Sequence, residues 1–500
     1  MKKYKKIALL ELAELIGQAH EELSINIDAN NIEQAMDILA ACQESAIHIG
    51  NSIEESEGEG LEIIGCIGNY CETLFQVNNS MMMGENQAGS IEILKNYHNS
   101  IEAGINAISC KKEIVFLPYK ASMWDSMESI WMTAKEDSEC ECYVMPIPYY
   151  DRTEDRRLGE MYYEGDQLPG YVPITKYTDY NLSVCKPDII YFHNPYDQYN
   201  YVTSVHPAFY SSELIKYTNM LVYVPYFIAG AYKNVDDIGT KHIISGVVSS
   251  NRVIVQSELM KQIMVSLEMP AKKIAALGSP KIDAVINAMK NPPEVPDEWK
   301  EKLSGKKIVL YNTSIGSMLV LETYMERFER FVRQIIYTEG IGLIWRPHPL
   351  LEATIKSMRP QYMERFKKLT NDIANSENAV IDKLGSAYAA ISYSDGLISD
   401  TSSLLRQYMV TGKPVLALNL KSSMREERIC LFDHFSCYFL GDGVRIGNFL
   451  TMLKKGEDPN KALREEDVRR SVANSDGTCG EKIHKYIMSQ LDKADKTCQE

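Results

Sequence analysis

Three short stretches combine side chains suited to phosphate chemistry. The first is Trp345-Arg346-Pro347-His348-Pro349. A planar guanidinium binds phosphate oxygens in pairs, and an imidazole can donate to a phosphate oxygen or protonate a leaving group. The two prolines forbid an immediate helix and fix the backbone on either side of His348, so its ring is held on a stiff loop. The second stretch is Ser399-Asp400-Thr401-Ser402-Ser403, followed by the apolar spacing Leu404, Leu405, Tyr408 of a helix. Ordinary N-capping needs one such residue. A longer run at a helix start offers hydroxyls beside free backbone N–H groups, which is an anion-binding arrangement. The third is Asn312-Thr313-Ser314-Ile315-Gly316-Ser317, whose small residues and single glycine would let backbone amides approach a ligand, and which equally suits a plain loop.

Further candidates lie upstream. Tyr191-Phe192-His193-Asn194-Pro195-Tyr196-Asp197 closes a strand-like run, and His193 or Asp197 there could act as base on an acceptor hydroxyl, with His206 beyond. Gly278-Ser279-Pro280-Lys281 precedes a proline-rich stretch and could bring Ser279 and Lys281 to a cleft. Taken singly, each of these residues also fits a purely structural role.

The elements that must position these residues alternate. From about residue 112, buried runs and amphipathic runs follow one another. The strands expected are Glu113–Pro118, Glu141–Ile147, Asp188–Phe192, Met220–Val224 and Arg252–Val255, then Lys307–Asn312, Ile341–Trp345, Gly396–Ser399 and Pro414–Leu418. Helices are expected at Thr240–Ser249, Glu258–Leu267, Glu322–Thr338, Ala353–Asn371 and Ser402–Met409. Strand–helix–strand order implies parallel sheets with right-handed crossovers, and hence an α/β fold of two Rossmann-like doubly wound domains facing a cleft. The expected first domain is 111–290. Asn291-Pro292-Pro293-Glu294-Val295-Pro296 opens a linker at 291–305, the second domain is 306–455, and C-terminal helices at 456–500 are expected to cross back to the first domain. Residues 1–110 contain no proline and repeat an i, i+3, i+4, i+7 apolar stripe, as in Ile32, Ala35, Met36, Leu39, Ala40, which predicts an all-α N-terminal domain of helical hairpins. Ligands of doubly wound sheets bind outside the carboxyl ends of the strands, where all three phosphate-suited stretches fall.

Composition excludes several classes. A net charge of −15 argues against nucleic acid as a partner and against strong attraction to anionic lipid. The eleven cysteines include no C-x-x-C pair, so neither a zinc site nor a disulfide framework is expected. No carboxylate-rich metal site is in view, and the expectation is no metal and no cofactor. No G-x-G-x-x-G follows the first strand and no P-loop motif occurs, which sets aside a dinucleotide enzyme and a P-loop NTPase. The lysines of Met1-Lys2-Lys3-Tyr4-Lys5-Lys6 precede a stretch interrupted by Glu11 and Glu14, so neither a signal peptide nor a membrane span is expected and the location read from the sequence is cytoplasmic.

At Arg346-Pro347-His348-Pro349, Ser399-Asp400-Thr401-Ser402-Ser403 and Gly412-Lys413-Pro414-Val415, the sequence resembles the CDP-glycerol glycerophosphotransferase family, whose enzymes build teichoic-acid-type chains. The resemblance covers about residues 112–455, and Gly278-Ser279-Pro280-Lys281 resembles the close of that family's first domain. It implies a GT-B fold, metal-independent chemistry, a CDP-glycerol donor and a hydroxyl acceptor. It also implies a cytoplasmic place of work, with peripheral contact at the inner membrane face. Carried over, Arg346, His348, Thr401, Ser402 and Ser403 would hold the pyrophosphate and Asp400 would orient their loop. Two positions depart from the pattern. Ala229, within Tyr226-Phe227-Ile228-Ala229-Gly230, stands where the family's His-Gly-Thr-Pro motif has its histidine, and Asn312-Thr313-Ser314 replaces a Pro-Thr-x-Arg pattern. Two other readings stay open: a GT-B glycosyltransferase using a nucleotide sugar, and a catalytically silent binder of nucleotide or precursor that serves as a scaffold.

Overall fold

The computed structural model describes residues 1–84, 88–400, 402–418, 429–432, 436–440 and 444–497; Thr401, one of the phosphate-site candidates, lies outside them. The described chain clusters into two compact units. The first is Met1–Glu113 with Ser138–Glu141 and Asn181–Lys186, and the second is the remainder.

The first unit is a four-helix bundle of α1 (Lys3–Asp28), α2 (Ile32–Glu57), α3 (Glu62–Met82) and α4 (Ala88–Ala107). Each helix packs on its sequence neighbours, and α1 also packs on α4, which closes the ring. In α2 the buried side chains are those of Ala35, Leu39, Cys42, Ala46, Ile49 and Ile53, spaced alternately four and three apart as in a bundle seam, with Gly50 buried beside them. These side chains join Leu23, Tyr70, Leu94 and Ile101 in one apolar core. At Gly104 a Cβ would come within 2.8 Å of Ile63 Cδ1, so a glycine there lets α4 lie close against α3.

The second unit carries two parallel sheets. Strands β1 (Lys112–Leu117), β2 (Cys140–Val144), β3 (Ile189–Phe192), β4 (Met220–Tyr223), β5 (Arg252–Val255) and β6 (Ile274–Ala276) form a sheet in the order β6-β5-β4-β3-β1-β2. Strands β7 (Lys307–Thr313), β8 (Ile341–Pro347), β9 (Ala379–Ile381), β10 (Gly396–Ser399), β11 (Val415–Ala417) and β12 (Tyr438–Phe439) form the second, in the order β9-β8-β7-β10-β11-β12. Strand order reverses beside β1 in one sheet and beside β7 in the other, so the crevices open between β1 and β3 and between β7 and β10. Both faces of the second sheet are covered. Val309, Tyr311, Leu343 and Trp345 pack with Phe328 and Phe366 on one side, and Leu310, Ile344 and Leu397 pack with Leu405 and Tyr408 on the other.

Several sequence expectations are corrected. The single helix expected at Ala353–Asn371 is two, Leu351–Met358 and Met363–Ala374, because Pro360 cannot accept the helical continuation and opens a 3-10 turn. Thr240–Ser249 likewise divides, into Val235–His242 and Ser245–Ser249. Strand pairing also occurs where no strand is expected: Tyr149–Arg152 runs antiparallel to both Leu158–Tyr162 and Thr203–Val205. Strands β6, β9 and β12, of two or three residues, were too short to show a pattern.

The last helix, Cys479–Thr497, packs on the first α/β half. Its opening N–H groups, those of Cys479 and Gly480, donate to the Asp283 carboxylate at 3.1 and 2.7 Å, a side-chain cap supplied from another helix. Arg252 Nη2 donates to Gln490 Oε1 at 2.9 Å further along. Among the described residues no helix is long and apolar enough to cross a membrane.

Candidate active site

The crevice of the second sheet is built by backbone register. Asn312 at the end of β7 lies opposite Arg346 on β8 and Ser399 on β10. Three segments far apart in sequence therefore end side by side. Asn312 Nδ2 donates to Ser399 Oγ at 3.0 Å and to Ser402 Oγ at 3.2 Å. Ser399 Oγ donates to the Asp400 carbonyl at 2.7 Å, and Ser402 Oγ accepts from Leu405 N at 3.3 Å as the N-cap of the helix Ser403–Met409. Ser402 Oγ thus accepts two bonds and its O–H faces Ser399 Oγ at 3.4 Å, while Ser403 is exposed beside it.

Asp400 is 5% exposed, and burial raises its pKa above the ordinary carboxyl value. Bonds from Ser314 offset that cost, since both N and Oγ of Ser314 donate to Asp400 Oδ2, at 3.2 and 3.0 Å. Asp400 therefore ties the loop after β10 to the loop after β7. Thr313 is buried as well: its hydroxyl accepts from Trp345 Nε1 at 3.1 Å, and its carbonyl accepts the N–H of His348 at 3.1 Å. Gly316 lies inside the helix Ile315–Val320 and a Cβ there would meet open space, so its backbone makes no close approach to protein.

Arg346 and His348 complete the edge. Arg346 Nη1 donates to Asp382 Oδ2 at 2.5 Å and to the Ser386 carbonyl at 3.1 Å. The Asp382 side chain is fully buried and the arginine is 16% exposed, so one side of the guanidinium is anchored in protein. Among the described residues its Nε and Nη2 hold no bond. His348 is exposed on its stiff loop, and its Nδ1 accepts from Leu350 N at 3.2 Å. That bond leaves the proton of the neutral ring on Nε2, which becomes a donor toward solvent. Partial burial lowers the pKa, which favours this neutral form.

The first-half candidates sit differently. His193 is fully buried. Its Nε2 accepts from Tyr119 N at 3.2 Å, so Nδ1 carries the proton and faces Ser126 Oγ at 2.9 Å. Desolvation, then the nearby Lys281 charge, push its pKa down to about 3. Asp197 has φ +49° and is 3% exposed; its two oxygens accept from Ser211 N at 2.9 Å and Ser211 Oγ at 2.5 Å. Lys281 forms a partly buried ion pair with Asp125, at 2.5 and 2.6 Å to its two oxygens, and the Tyr388 hydroxyl also donates to that carboxylate. This network joins the two α/β halves. Ser279 is 5% exposed, and its hydroxyl is unpartnered among the described residues. Ala229 is clasped at both ends by Gln256, which accepts from its N–H at 2.7 Å and donates to its carbonyl at 3.2 Å.

Thus Asn312, Ser314, Asp400 and Ser402 are joined by hydrogen bonds, with Arg346 and His348 on the adjoining strand end. His193, Asp197, Ser279 and Lys281 belong to the first half. Sequence reasoning missed Asp382, which follows the three-residue β9. It also missed Arg406, whose Nε donates to the Ile228 carbonyl at 2.9 Å and which fills the space a side chain at Gly230 would need.

The structure is similar to the wall teichoic acid polymerase TagF, at 12% identity and a TM-score of 0.50, covering 85% of this chain and 98% of that one. It also matches UDP-GlcNAc 2-epimerase from Neisseria meningitidis, at 12% identity and a TM-score of 0.48, over 75% of this chain and all of that one. The first likeness speaks to the fold, two α/β halves of GT-B type. No curated protein sequence matches this chain. The family model for CDP-glycerol:poly(glycerophosphate) glycerophosphotransferase matches residues 232–489, more than half of the chain, and on that match the chain belongs to this family.

Proposed function

We propose that the protein transfers glycerol phosphate from CDP-glycerol to a hydroxyl acceptor, with the donor diphosphate seated at the carboxyl ends of β7, β8 and β10. The observation that carries this reading is the meeting, at one switch point, of an anchored guanidinium, a donor imidazole and a set of small hydroxyls. The acceptor oxygen attacks the phosphorus that bears glycerol, the bridging P–O bond breaks, and CMP leaves with the bridging oxygen. Negative charge then builds on the departing phosphate. Arg346 meets it with a fixed cation and His348 with an N–H, while Ser402 and Ser403 supply hydroxyl donors. Asn312, Ser314 and Asp400 hold the two loops in register. Thr401, read from sequence as a further phosphate ligand, falls between these residues and outside the described ones.

The acceptor proton needs a base. His193 and Asp197 are the sequence candidates, and in this structure each is bonded within the first half, so a role in proton transfer requires those bonds to open. Cytoplasmic work with peripheral contact at the inner membrane face belongs to the same proposal, and flotation of the full chain with anionic vesicles tests it.

The decisive experiment is calorimetric titration with CDP-glycerol, CDP, CMP and UDP-N-acetylglucosamine, followed by an assay of CMP release. Binding of the cytidine donor with CMP release supports the transferase. Preference for the UDP sugar would move the reading to a glycosyltransferase, and donor binding without CMP release to a silent binder. No nucleotide binding would overturn both enzyme readings.

A further inference from the structure

The Arg346 guanidinium takes its direction from one short segment of chain. After β9, residues 382–387 lead into the helix Tyr388–Tyr393. The segment meets Arg346 Nη1 twice, through the Asp382 carboxylate at 2.5 Å and the Ser386 carbonyl at 3.1 Å. Its near end is tied to the sheet. Asp382 N donates to the Trp345 carbonyl at 2.8 Å, and Asp382 Oδ1 accepts from Leu384 N at 2.9 Å. Residues 383–386 are exposed and lie outside any helix or strand, so the Ser386 carbonyl is placed by what holds the segment's far end.

That hold comes from the other half of the unit. Two residues beyond Ser386, the Tyr388 hydroxyl donates to Asp125, whose two oxygens also accept from Lys281 Nζ. Asp125 belongs to the 3-10 helix Ala121–Ser126 that follows β1, and its neighbour Ser126 faces His193 Nδ1 at 2.9 Å. Lys281 comes from the helix Pro280–Lys290, which follows β6 and packs on the helix Tyr388–Tyr393. A continuous run of groups therefore leads from the loop after β1 to the donor edge. It passes from Asp125 to Tyr388, along the backbone to Ser386, and across one hydrogen bond to Arg346. Hydrogen bonds to a carboxylate are stronger than neutral ones, and here one carboxylate holds an ammonium and a phenol together.

We propose that Asp125 is a positioning residue for the donor diphosphate: by holding Tyr388 it sets the segment that aims Arg346, so that docking of the two halves and grip on the donor are coupled. The inference rests on the reading of Arg346 as a diphosphate ligand. It adds a residue of the first half, remote in sequence from every phosphate-suited stretch, to the control of that contact. Coupling of this kind is reciprocal, so a bound donor tightens Tyr388 on Asp125 in return.

The test is Asp125→Asn in the full chain, which keeps the side chain's shape and removes the charge shared by Lys281 and Tyr388. Calorimetric titration should show CDP-glycerol bound about fivefold more weakly than by the parent. Affinity for CMP, and turnover at saturating donor, should stay within about twofold. A cycle with Asp382→Asn separates aim from fold. Added to Asp382→Asn, Asp125→Asn should cost less than about twofold more, whereas a purely structural role repeats its full loss in both backgrounds. Hydrogen exchange over residues 384–388 should slow on adding CDP-glycerol to the parent and not to Asp125→Asn. If Asp125→Asn fails to fold, Tyr388→Phe keeps the Lys281–Asp125 pair and carries the same tests, with an expected loss of about threefold. Unchanged donor affinity, equal weakening of CMP, full additivity with Asp382→Asn or donor-indifferent exchange would overturn the inference. A parent that binds no CDP-glycerol would overturn the donor reading itself and this inference with it, an outcome visible before any variant is made.

Discussion

The two switch points of the second unit share a topology and differ in what fills them. Between β1 and β3 the space is packed with rings. Phe116 stacks on Tyr191 at 4.9 Å, and His193 meets Tyr119 at 5.3 Å and Tyr226 at 6.1 Å edge-on, with both imidazole nitrogens committed. Between β7 and β10 the side chains are Asn312, Ser399 and Ser402, short and polar, with Arg346 and His348 along the rim. A doubly wound sheet offers a crevice at each reversal of strand order, and side-chain volume decides whether that crevice is filled by the protein or left for a ligand. On the proposed function the second half supplies the donor site, whereas the first fills its switch point with its own side chains.

The sharpest way to break that contrast is His348→Ala. The ring is exposed and its loop is fixed by prolines, so the variant should fold as the parent does. Its turnover, read as CMP release from CDP-glycerol, should fall by roughly 10²-fold or more. Unchanged turnover would remove His348 from the chemistry and leave the rim to Arg346. The matching test in the first half is His193→Ala, which strips a buried N–H and a buried hydroxyl of their partner. Stability in urea should drop by about 2 kcal/mol, while turnover per folded molecule stays within about threefold. A 100-fold loss of turnover at unchanged stability would reverse the comparison and make His193 the base. The pH profile gives a second reading of the same residue. Its folded pKa of about 3 lies below the unfolded value of 6.5, so between those limits the unfolded chain binds a proton that the folded one refuses. Stability from this group is complete above pH 6.5 and is lost as pH falls toward 3, by at most about 1.4 kcal/mol per pH unit. His193→Ala should flatten the acid limb by that one proton.

Much of the second switch point was legible because its residues are consecutive. Arg346-Pro347-His348-Pro349 and the serine-rich run after β10 carry their chemistry in a few adjacent positions, and the hydrophobic strands before them mark where they leave the sheet. The four helices of the bundle were legible for a similar reason, since a repeated apolar stripe is a property of one segment alone. What escaped was whatever depends on register or on distant partners. Asp382 gives no local signal as the anchor of Arg346, because its strand has three residues and the pairing exists only after β8 and β9 align. Lys281 looked like a cleft residue by position, and only the fold reveals that Asp125 and Tyr388 enclose it. His193 is the plainest case: an imidazole at a strand end reads the same from sequence whether its nitrogens face solvent or, as here, two buried donors and acceptors.

The anchoring of Arg346 can be separated from its charge by Asp382→Asn. The substitution keeps the shape at the end of β9 and leaves the guanidinium cationic, but removes the ion pair that orients it. Affinity for CDP-glycerol should weaken about tenfold as the donor fork loses its fixed direction, with affinity for CMP, which lacks the second phosphate, changing less. Titration calorimetry on both ligands gives the split. Equal losses for both would mean that Asp382 supports the fold of the crevice and not the diphosphate contact.

The smallest expected effect lies where the two halves meet. Tyr388 in the helix Tyr388–Tyr393 donates to Asp125, which also holds Lys281, and all three belong to a contact between the halves. Tyr388→Phe deletes one hydroxyl and leaves the Lys281–Asp125 pair intact, so the expected loss is about 1 kcal/mol of stability. If the contact only fastens the halves together, CMP release at saturating donor should stay within about twofold. If the halves must instead separate and rejoin in each cycle, loosening the contact should change turnover by more than stability, in either direction. Such a result would show that the first half, though closed at its own switch point, still governs the rate at the second.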